Sequence, residues 1–483
     1  MKSQIRLALR QTRTLELRLD YLRGAKERAA FLTWLARRHF RATLIATCRS
    51  RIGGGLFRCG RDAQIEILMQ AVRAGCSWCD LEIETILRTT PGEIRRSISP
   101  ARLMISHHDF HRTPSNLSGV AGRLRRAGAD AIKIAVHCKS ISDSVRVCEL
   151  ARGHRDTVAI PMGEFGMAGR ILSLRAGSAL TYAAVAQATA PGQLSLDDMT
   201  NSYRAARITR HTRVYSVIGN PIGHSLSPLL HNTGFCERKL DAVFVPFLVR
   251  ELPDFLRAVK IYGIAGFGVT IPHKQNILKY LDDCDPLAAR IGAVNTVVVR
   301  GGGRLYGYNT DYVGVLRSLD HRMKLSGSRI LLVGAGGAAR AAAFALVQAG
   351  AMVCLSARRP ERARALARAV GACVIERSDL RRESFDAIVN CTPLGMHPRG
   401  GSPLHAAELN CRVVMDMVYR PRTTELLRRA RRRGIETISG VEMFLAQGFA
   451  QYEIWTGKRA PEAAMRRAVI GALAHDEKMQ GSR

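Results

Sequence analysis

The chain has 483 residues and a formal net charge of +33, from 73 lysines and arginines against 40 aspartates and glutamates. That length accommodates two or three domains with cores of their own, and no apolar run approaches the roughly 20 residues that a membrane-spanning helix needs. The 12 cysteines form no disulfide framework, and Cys76-Ser-Trp-Cys79 lacks a second pair at zinc spacing, so neither a disulfide scaffold nor a metal site is expected.

The basic excess raises nucleic-acid binding as a reading. Its densest run, Arg428-Arg-Ala-Arg-Arg-Arg433, follows Thr424-Glu-Leu-Leu427 on an expected helix, with no aromatic stacking platform beside it. A solvated basic surface that steers anionic substrates is the better reading. A nucleic-acid binder with a vestigial enzyme fold would show a steep salt slope. The amino-terminal segment is basic but lacks the apolar core of a secretory signal, so the cytoplasm is the expected location. The sequence sets no oligomeric state.

In chain order, residues 2–13 read as a helix. Strand-like segments follow at 15–22, 43–49, 79–84, 103–108, 131–136, 157–163 and 179–184. Amphipathic stretches such as 62–74 and 143–151 fill the gaps. Alternation at about 25 residues per unit predicts βαβ units on a parallel sheet, most economically a closed (β/α)8-type barrel. The count stops at seven strands, so a leading strand is missing.

Lys133 lies in the apolar run Ala131-Ile-Lys-Ile-Ala-Val136. Burial there is expected to push its pKa down and favour the nucleophilic free amine; the bland alternative is a lysine that snorkels into solvent. Upstream, Ser106-His-His-Asp-Phe110 offers a histidine for proton transfer. Polar side chains collect at strand ends, where barrel enzymes build their sites. Glu16, Arg18 and Asp20 alternate with leucines. Arg49 and His108 close their strands, and Arg170 and Gln193 fall in loops after the sixth and seventh.

Glu16-Leu-Arg-Leu-Asp20, Thr47-Cys-Arg49, Ser106-His-His-Asp-Phe110, Gly128-Ala-Asp-Ala-Ile-Lys-Ile-Ala135, Met162-Gly163 leading to Arg170, and Ala190-Pro-Gly-Gln193 together resemble type I 3-dehydroquinate dehydratases. The resemblance implies that Lys133 forms an imine with the ketone of 3-dehydroquinate. His108, the histidine directly before Asp-Phe, then moves the protons in preference to His107. Arg170 and Arg49 would hold carboxylate and hydroxyls, with Glu16, Arg18, Thr189 (a serine in the family) and Gln193 also binding substrate. Gly53 stands where the family carries a glutamate that orients the catalytic histidine. With the missing strand, that departure keeps a degenerate barrel beside an active dehydrogenase as a second reading.

The second half opens with a strand at 214–218. Further on, Arg329-Ile-Leu-Leu-Val333 and Gly334-Ala-Gly-Gly-Ala-Ala339 lead into an alanine-rich helix at 340–349. That strand, glycine turn and helix set a pyrophosphate against backbone N–H groups. No acid ends the next strand, Val353-Cys-Leu-Ser-Ala-Arg358-Arg359. The two arginines there favour a 2′-phosphate, hence NADP over NAD.

Polar residues cluster in Gly219-Asn-Pro-Ile-Gly-His-Ser225-Leu-Ser227-Pro228, Gly268-Val-Thr270-Ile-Pro-His-Lys274, Gly292-Ala-Val-Asn295-Thr296 and Gly307-Tyr-Asn-Thr-Asp311. Such loops after apolar strands suit a small-molecule cleft. With Asn390-Cys-Thr-Pro-Leu-Gly-Met396, Asp416-Met-Val-Tyr419 and Gly440-Val-Glu-Met-Phe-Leu-Ala-Gln447, they resemble shikimate dehydrogenase from residue 214 to about 473. The resemblance implies that Ser225 and Ser227 grip the substrate carboxylate, while Thr270, Asn295 and Gln447 bind hydroxyls. Tyr419 packs near substrate and cofactor, and Lys274 with Asp311 forms the catalytic pair at the carbonyl. NADP would rest on Gly334, Ala335, Gly336, Gly337, Ala338, Arg358, Arg359, Thr392, Met396, Val418 and Gly440.

The expected organisation is a dehydratase barrel at 1–205, a linker at 206–213, a substrate-binding domain at 214–322 completed by 440–483, and a Rossmann domain at 323–439. The expected function is dehydration of 3-dehydroquinate to 3-dehydroshikimate, then NADPH-dependent reduction to shikimate. A quinate dehydrogenase is the other enzyme reading, weakly disfavoured by the two serines.

Overall fold

Six strands of the amino-terminal half pair in parallel and in chain order: β1 (Thr14–Arg18), β2 (Thr43–Thr47), β3 (Trp78–Glu82), β4 (Arg102–Asp109), β5 (Ala131–His137) and β6 (Thr157–Met162). The computed structural model describes residues 1–87, 91–185, 192–396 and 400–481. It divides into one unit of Met1–Arg213 with Val245–Gly263, and a second of Val214–Phe244 with Ile264–Arg483.

Alternation along the strands gives the first sheet two unlike faces. Leu15, Leu17, Leu44, Ala46, Leu81, Leu103, Ile105, Ile132 and Ile134 point to one side and join the main core with the covering helices. Each leucine or isoleucine among them contributes on the order of 1.5–3 kcal/mol on burial. The other side starts apolar, with Ile45, Met104, Ala131 and Val158, and turns polar toward the carboxyl ends of the strands.

Residues 179–184 do not form the expected seventh strand; there only Ala184 makes an isolated bridge, to Ser195. A side chain takes over the ladder. Ala159 N–H donates to Ser178 Oγ at 3.0 Å, and that hydroxyl donates onward to Leu180 O at 2.8 Å. The segment therefore turns away after one backbone bond, from Ala179 N–H to Thr157 O. Among the described residues the sheet is an open arc with β1 and β6 at its edges, not a closed cylinder. The expected amino-terminal helix is shorter too, at Lys2–Ala8.

Two further sheets follow in the chain. In the first, β7 (Arg213–Gly219), β8 (Ala242–Leu248), β9 (Ile264–Val269), β10 (Asp283–Cys284), β11 (Thr296–Val299) and β12 (Leu305–Tyr308) lie in the order β10-β12-β11-β9-β7-β8. In the next, β13 (Arg329–Val333), β14 (Met352–Ser356), β15 (Cys373–Val374), β16 (Phe385–Asn390), β17 (Cys411–Asp416) and β18 (Glu436–Ser439) lie in the order β15-β14-β13-β16-β17-β18, with every pairing parallel. The strand order reverses between β13 and β16, the switch point at which such sheets bind ligands. The helix expected at 340–349 runs Gly337–Gln348.

The basic run lies on the helix Glu425–Arg432, where Arg428 and Arg429 pair with Glu425 at 2.9 and 3.0 Å and the apolar side buries Leu426 and Leu427. No helix among the described residues is long and apolar enough to cross a membrane.

Candidate active sites

Register places the polar residues of the first sheet on one face. Arg18 pairs with Thr47, Thr47 with Asp80, Glu82 with Ser106, and Ser106 with Lys133. Paired residues share a side and the period is two, so Glu16 and His108 join them and His107 does not. His107 instead lies 3.8 Å from Glu84.

Lys133 is 4% exposed, so it does not snorkel. Its Nζ contacts Asp80 Oδ2 directly, lies 3.1 Å from Glu16 Oε1 and stands 4.7 Å over the Tyr182 ring. Arg49 Nη2 pairs with Asp80 Oδ2 at 2.8 Å, while Ser106 Oγ donates to Asp80 Oδ1 at 2.6 Å. Thr47 Oγ1 donates to Glu16 Oε1 at 2.9 Å. Arg49 Nη1 donates to Ser106 Oγ at 2.7 Å and lies 3.4 Å from His108 Nδ1.

This arrangement overturns the expected free amine. Burial does oppose the charge on Lys133, but Asp80 and then Glu16 outweigh it and hold the lysine above its ordinary range. Burial likewise opposes a charged Asp80, yet Arg49 and Lys133 hold that carboxyl well below the usual aspartate range. The resting site is an ammonium–carboxylate cluster. His108 is pushed the other way, well down, by burial first and then by the positive Arg49 and Lys133; a neutral imidazole results.

Gly53, where a carboxylate was expected to be lost, faces another one. A Cβ at Gly53 would sit 2.7 Å from Glu82 Oε1. Glu82 is held there by Ser50 N–H and Gln64 Nε2, each at 2.7 Å. Arg18 is engaged with Asp20 through two bonds of 2.9 and 2.8 Å. Arg170 is not in a loop: it is buried in the helix Met167–Ala176, where burial pushes its guanidinium down to about 10. Gln193 is half-buried behind Gly192. That glycine has φ +69° and meets Gly163 so closely that a Cβ would lie 2.4 Å from its carbonyl oxygen, which only glycine allows. Thr189 lies outside the described residues.

Asp80, Thr47, Ser106, Glu82 and Tyr182 were missed as site residues. Asp80 carried the same signal as Lys133, a charge within a strand-like run, and alternation with Trp78 and Glu82 would have found it.

In the second unit Lys274 and Asp311 are in direct contact. Asn295 Nδ2 donates to Asp311 Oδ1 at 2.9 Å and lies 3.4 Å from Gln447 Oε1, so four of the expected residues meet. Asp311 starts the helix Asp311–Asp320, where its charge complements the helix dipole, and Asn309 Oδ1 accepts its N–H at 3.0 Å. Thr310 N–H and Thr296 Oγ1 both donate to Asn295 Oδ1 at 2.8 Å, which fixes the amide's orientation. Those partners and Gln451, 3.1 Å from Asn295 O, had no sequence signal beyond proximity to the motifs. Ser225 Oγ accepts Ser227 N–H at 3.2 Å at the start of the helix Ser227–Glu237. Tyr419 stacks on Phe444 at 4.3 Å; burial raises its phenol, with the Leu226 backbone and the Ser225 hydroxyl pulling it down. Thr270 follows β9, its N–H donating to Ile218 O at 2.9 Å.

The glycine turn follows β13. Gly334 has φ +117°, and a Cβ would lie 3.1 Å from Thr392 Cγ2. Ala335, Gly336, Gly337 and Ala338 are at least partly accessible at the helix start. A Cβ at Gly337 would be 2.9 Å from Lys274 Cβ, so this glycine lets the lysine approach the turn. Arg358 and Arg359 follow β14, both exposed. Thr392 and Met396 follow β16, Val418 follows β17 and Gly440 follows β18, all at the carboxyl rim. A helix amino terminus beside two exposed arginines suits a dinucleotide that carries a 2′-phosphate.

Known proteins share this architecture. A type I 3-dehydroquinase profile matches residues 1–210, and a shikimate dehydrogenase substrate binding domain matches 217–297. An NADP oxidoreductase, coenzyme F420-dependent, profile matches 329–419, and a shikimate 5′-dehydrogenase C-terminal domain 440–470. The chain is 42% identical over 274 residues to an NADP(+) shikimate dehydrogenase of Bacillus cereus, covering 54% of this chain and 99% of that one. A solved shikimate dehydrogenase in complex with NADP+ superposes with a TM-score of 0.52 at 36% identity, over 55% of this chain and 96% of that chain. A chloroplastic bifunctional 3-dehydroquinate dehydratase/shikimate dehydrogenase of Arabidopsis thaliana is 34% identical over 472 residues, covering 92% of this chain and 78% of that protein. The chain belongs to the family of bifunctional 3-dehydroquinate dehydratase/shikimate dehydrogenases.

Proposed function

We propose that the two sites act in succession on one six-membered carboxylate. The first dehydrates 3-dehydroquinate to 3-dehydroshikimate, and the second reduces that product to shikimate with NADPH. The product of one reaction is the substrate of the other, which gives the fusion a chemical reason.

In the first site the Lys133 ammonium must lose a proton before its lone pair attacks the ketone, and Asp80, in contact with Nζ, is the nearest acceptor. Attack and loss of water give the iminium, which acidifies the neighbouring C–H. His108, neutral and on the same face, takes that proton and returns one to the departing hydroxyl. Water then hydrolyses the iminium and frees Lys133. Arg170 and Arg49 present guanidinium groups to the substrate carboxylate and hydroxyls, with Glu16, Arg18 and Gln193 completing the pocket.

In the second site NADPH, when bound, supplies the hydride. Ser225 and Ser227 hold the carboxylate, Thr270, Asn295 and Gln447 hold hydroxyls, and Tyr419 closes the side. Lys274 meets the developing alkoxide and delivers a proton, while Asp311 fixes the lysine's direction. Residues 214–322 with 440–483 make the substrate lobe, and 323–439 the NADP lobe. The twelve free thiols fit the cytoplasm, and small anionic metabolites rather than nucleic acid are the partners.

The observation that carries this reading is Lys133, buried between two carboxylates on the face that also holds His108. Borohydride added during turnover of 3-dehydroquinate should leave a covalent adduct on Lys133. Recovery of unmodified Lys133 would remove the dehydratase assignment.

A further inference from the structure

Asp416 ends β17 and is wholly buried, yet its hydrogen-bond partners are neutral. Oδ1 accepts from Asn390 Nδ2 at 2.8 Å and from Val418 N–H at 3.0 Å, and Oδ2 accepts from Thr424 Oγ1 at 2.6 Å. Each partner belongs to a different part of the cofactor rim. Asn390 ends β16, and its oxygen accepts Thr392 N–H at 2.9 Å and Thr392 Oγ1 at 2.7 Å, while its amide reaches Leu394 O at 3.2 Å. Val418 begins the loop that carries Tyr419. Thr424 ends that loop and caps the helix Glu425–Arg432 by accepting Leu427 N–H at 3.3 Å. A Cβ at Gly440 would sit 2.7 Å from Asp416 O, so the next helix presses on the same point.

A buried carboxylate without a countercharge is costly, and the fold gains no packing from it that an apolar residue would not supply. We propose that Asp416 is a positioning residue for the dehydrogenase reaction, joining the 390–396 turn to the Tyr419 loop so that nicotinamide and substrate meet in register. This rests on the dehydrogenase reading above. Only the ionised form serves all three donors. Asn390 and Val418 can only donate here, and a proton on Oδ2 reverses the Thr424 bond: Thr424 Oγ1 then accepts from Asp416 as well as from Leu427, and its own O–H no longer has Asp416 as acceptor.

Burial pushes the Asp416 carboxyl up to about 6, against the pull of Thr424, Val418 and Asn390. As pH falls through about 6 the Asp416–Thr424 bond therefore reverses and the three-donor arrangement is lost, although burial itself favours the protonated carboxyl. The titratable group facing it from β16 is the Cys391 thiol, held neutral above its ordinary range by burial and then by Asp416 itself. From β18 the register partner is Ser439, which carries no charge.

The test is shikimate oxidation by the full chain with NADP varied, on both sides of pH 6. Dehydration of 3-dehydroquinate by the same samples serves as the folding control. The KM for NADP in the unsubstituted chain should rise as pH falls through about 6. Asp416→Asn keeps an acceptor for Asn390 and Val418; it should raise that KM about tenfold at alkaline pH, the worth of one charge-assisted hydrogen bond, and flatten the profile. Thr424→Val, a milder change, should move the transition to higher pH, because it removes a hydroxyl that favours the ionised form. Profiles of both variants that superimpose on the unsubstituted one, or effects confined to thermal stability, would overturn the inference and leave the dehydrogenase standing. An unsubstituted chain that oxidises no shikimate would overturn both.

Discussion

Two lysine–aspartate pairs stand at the two sites, and their surroundings differ. Lys133 and Asp80 have side chains 5% and 0% exposed, with Glu16 on the lysine and Arg49 on the aspartate. Lys274 and Asp311 are 16% and 5% exposed, and the free oxygen of Asp311 takes a neutral amide from Asn295. The proton tasks proposed for them are opposite as well. A nucleophilic lysine must lose a proton to act, whereas a lysine beside a ketone under reduction acts by giving one. Two carboxylates around the buried lysine keep it charged at rest. One carboxylate and an open side suffice where the proton goes straight to substrate.

The largest expected effect separates the two halves. Lys133→Ala should cost the dehydratase on the order of 10⁴-fold or more in kcat, the scale on which removal of a covalent nucleophile is felt, with shikimate oxidation unchanged. Parallel loss of both activities would mean the sites are not independent. Lys274→Ala should cut shikimate oxidation by about 10²–10⁴-fold, the usual weight of a proton donor. NADP binding, read by fluorescence titration, should persist; if it is lost, the lysine belongs to the cofactor site.

Asp80→Asn tests the cluster itself. It leaves Arg49 and Lys133 buried with one carboxylate fewer, so it should cost about 3–5 kcal/mol of stability. Lys133 should also lose part of its upward shift, Glu16 supplying the remainder, and the pH at which dehydratase kcat/KM levels off should fall. An unmoved plateau would show that Asp80 does not set the state of Lys133. Asp80 is depressed below its ordinary 3.8, so its contribution is full above that value and is lost as pH falls below it. Lys133 is raised above its ordinary 10.5, so its contribution is full below that value and is lost as pH rises through the folded one. Denaturant midpoints across pH should show both limbs in the native chain and weaker ones in the variant.

The smallest effect is Arg358→Ala. On an exposed side chain, loss of a phosphate contact should weaken NADP about tenfold and NAD little. Equal losses would place the 2′-phosphate elsewhere.

Much was legible in the sequence. β13, the glycine turn and the helix after it follow from an apolar run broken by glycines at fixed spacing, and the structure departs from that by only a few residues. The same holds for five of the first sheet's strands, because a continuous apolar run, buried on both faces, is a local property. Residues 179–184 misled because their composition is strand-like while Ser178 Oγ, a side-chain competitor, occupies the ladder. Local propensity does not register such competition.

The amino-acid order by itself determined which residues are apolar, where the chain turns, and that Lys133 lies in an apolar run; those depend on neighbours along the chain. It could not determine the charge that Lys133 carries. Asp80 lies two strands away and Glu16 on the far side of β2, and only the register of β1 through β5 brings both carboxylates to Nζ. Burial is felt through solvent exclusion and can be anticipated from a run of apolar letters. Charge state is decided by Coulomb forces over a few ångströms, and those distances exist only once the strands have paired.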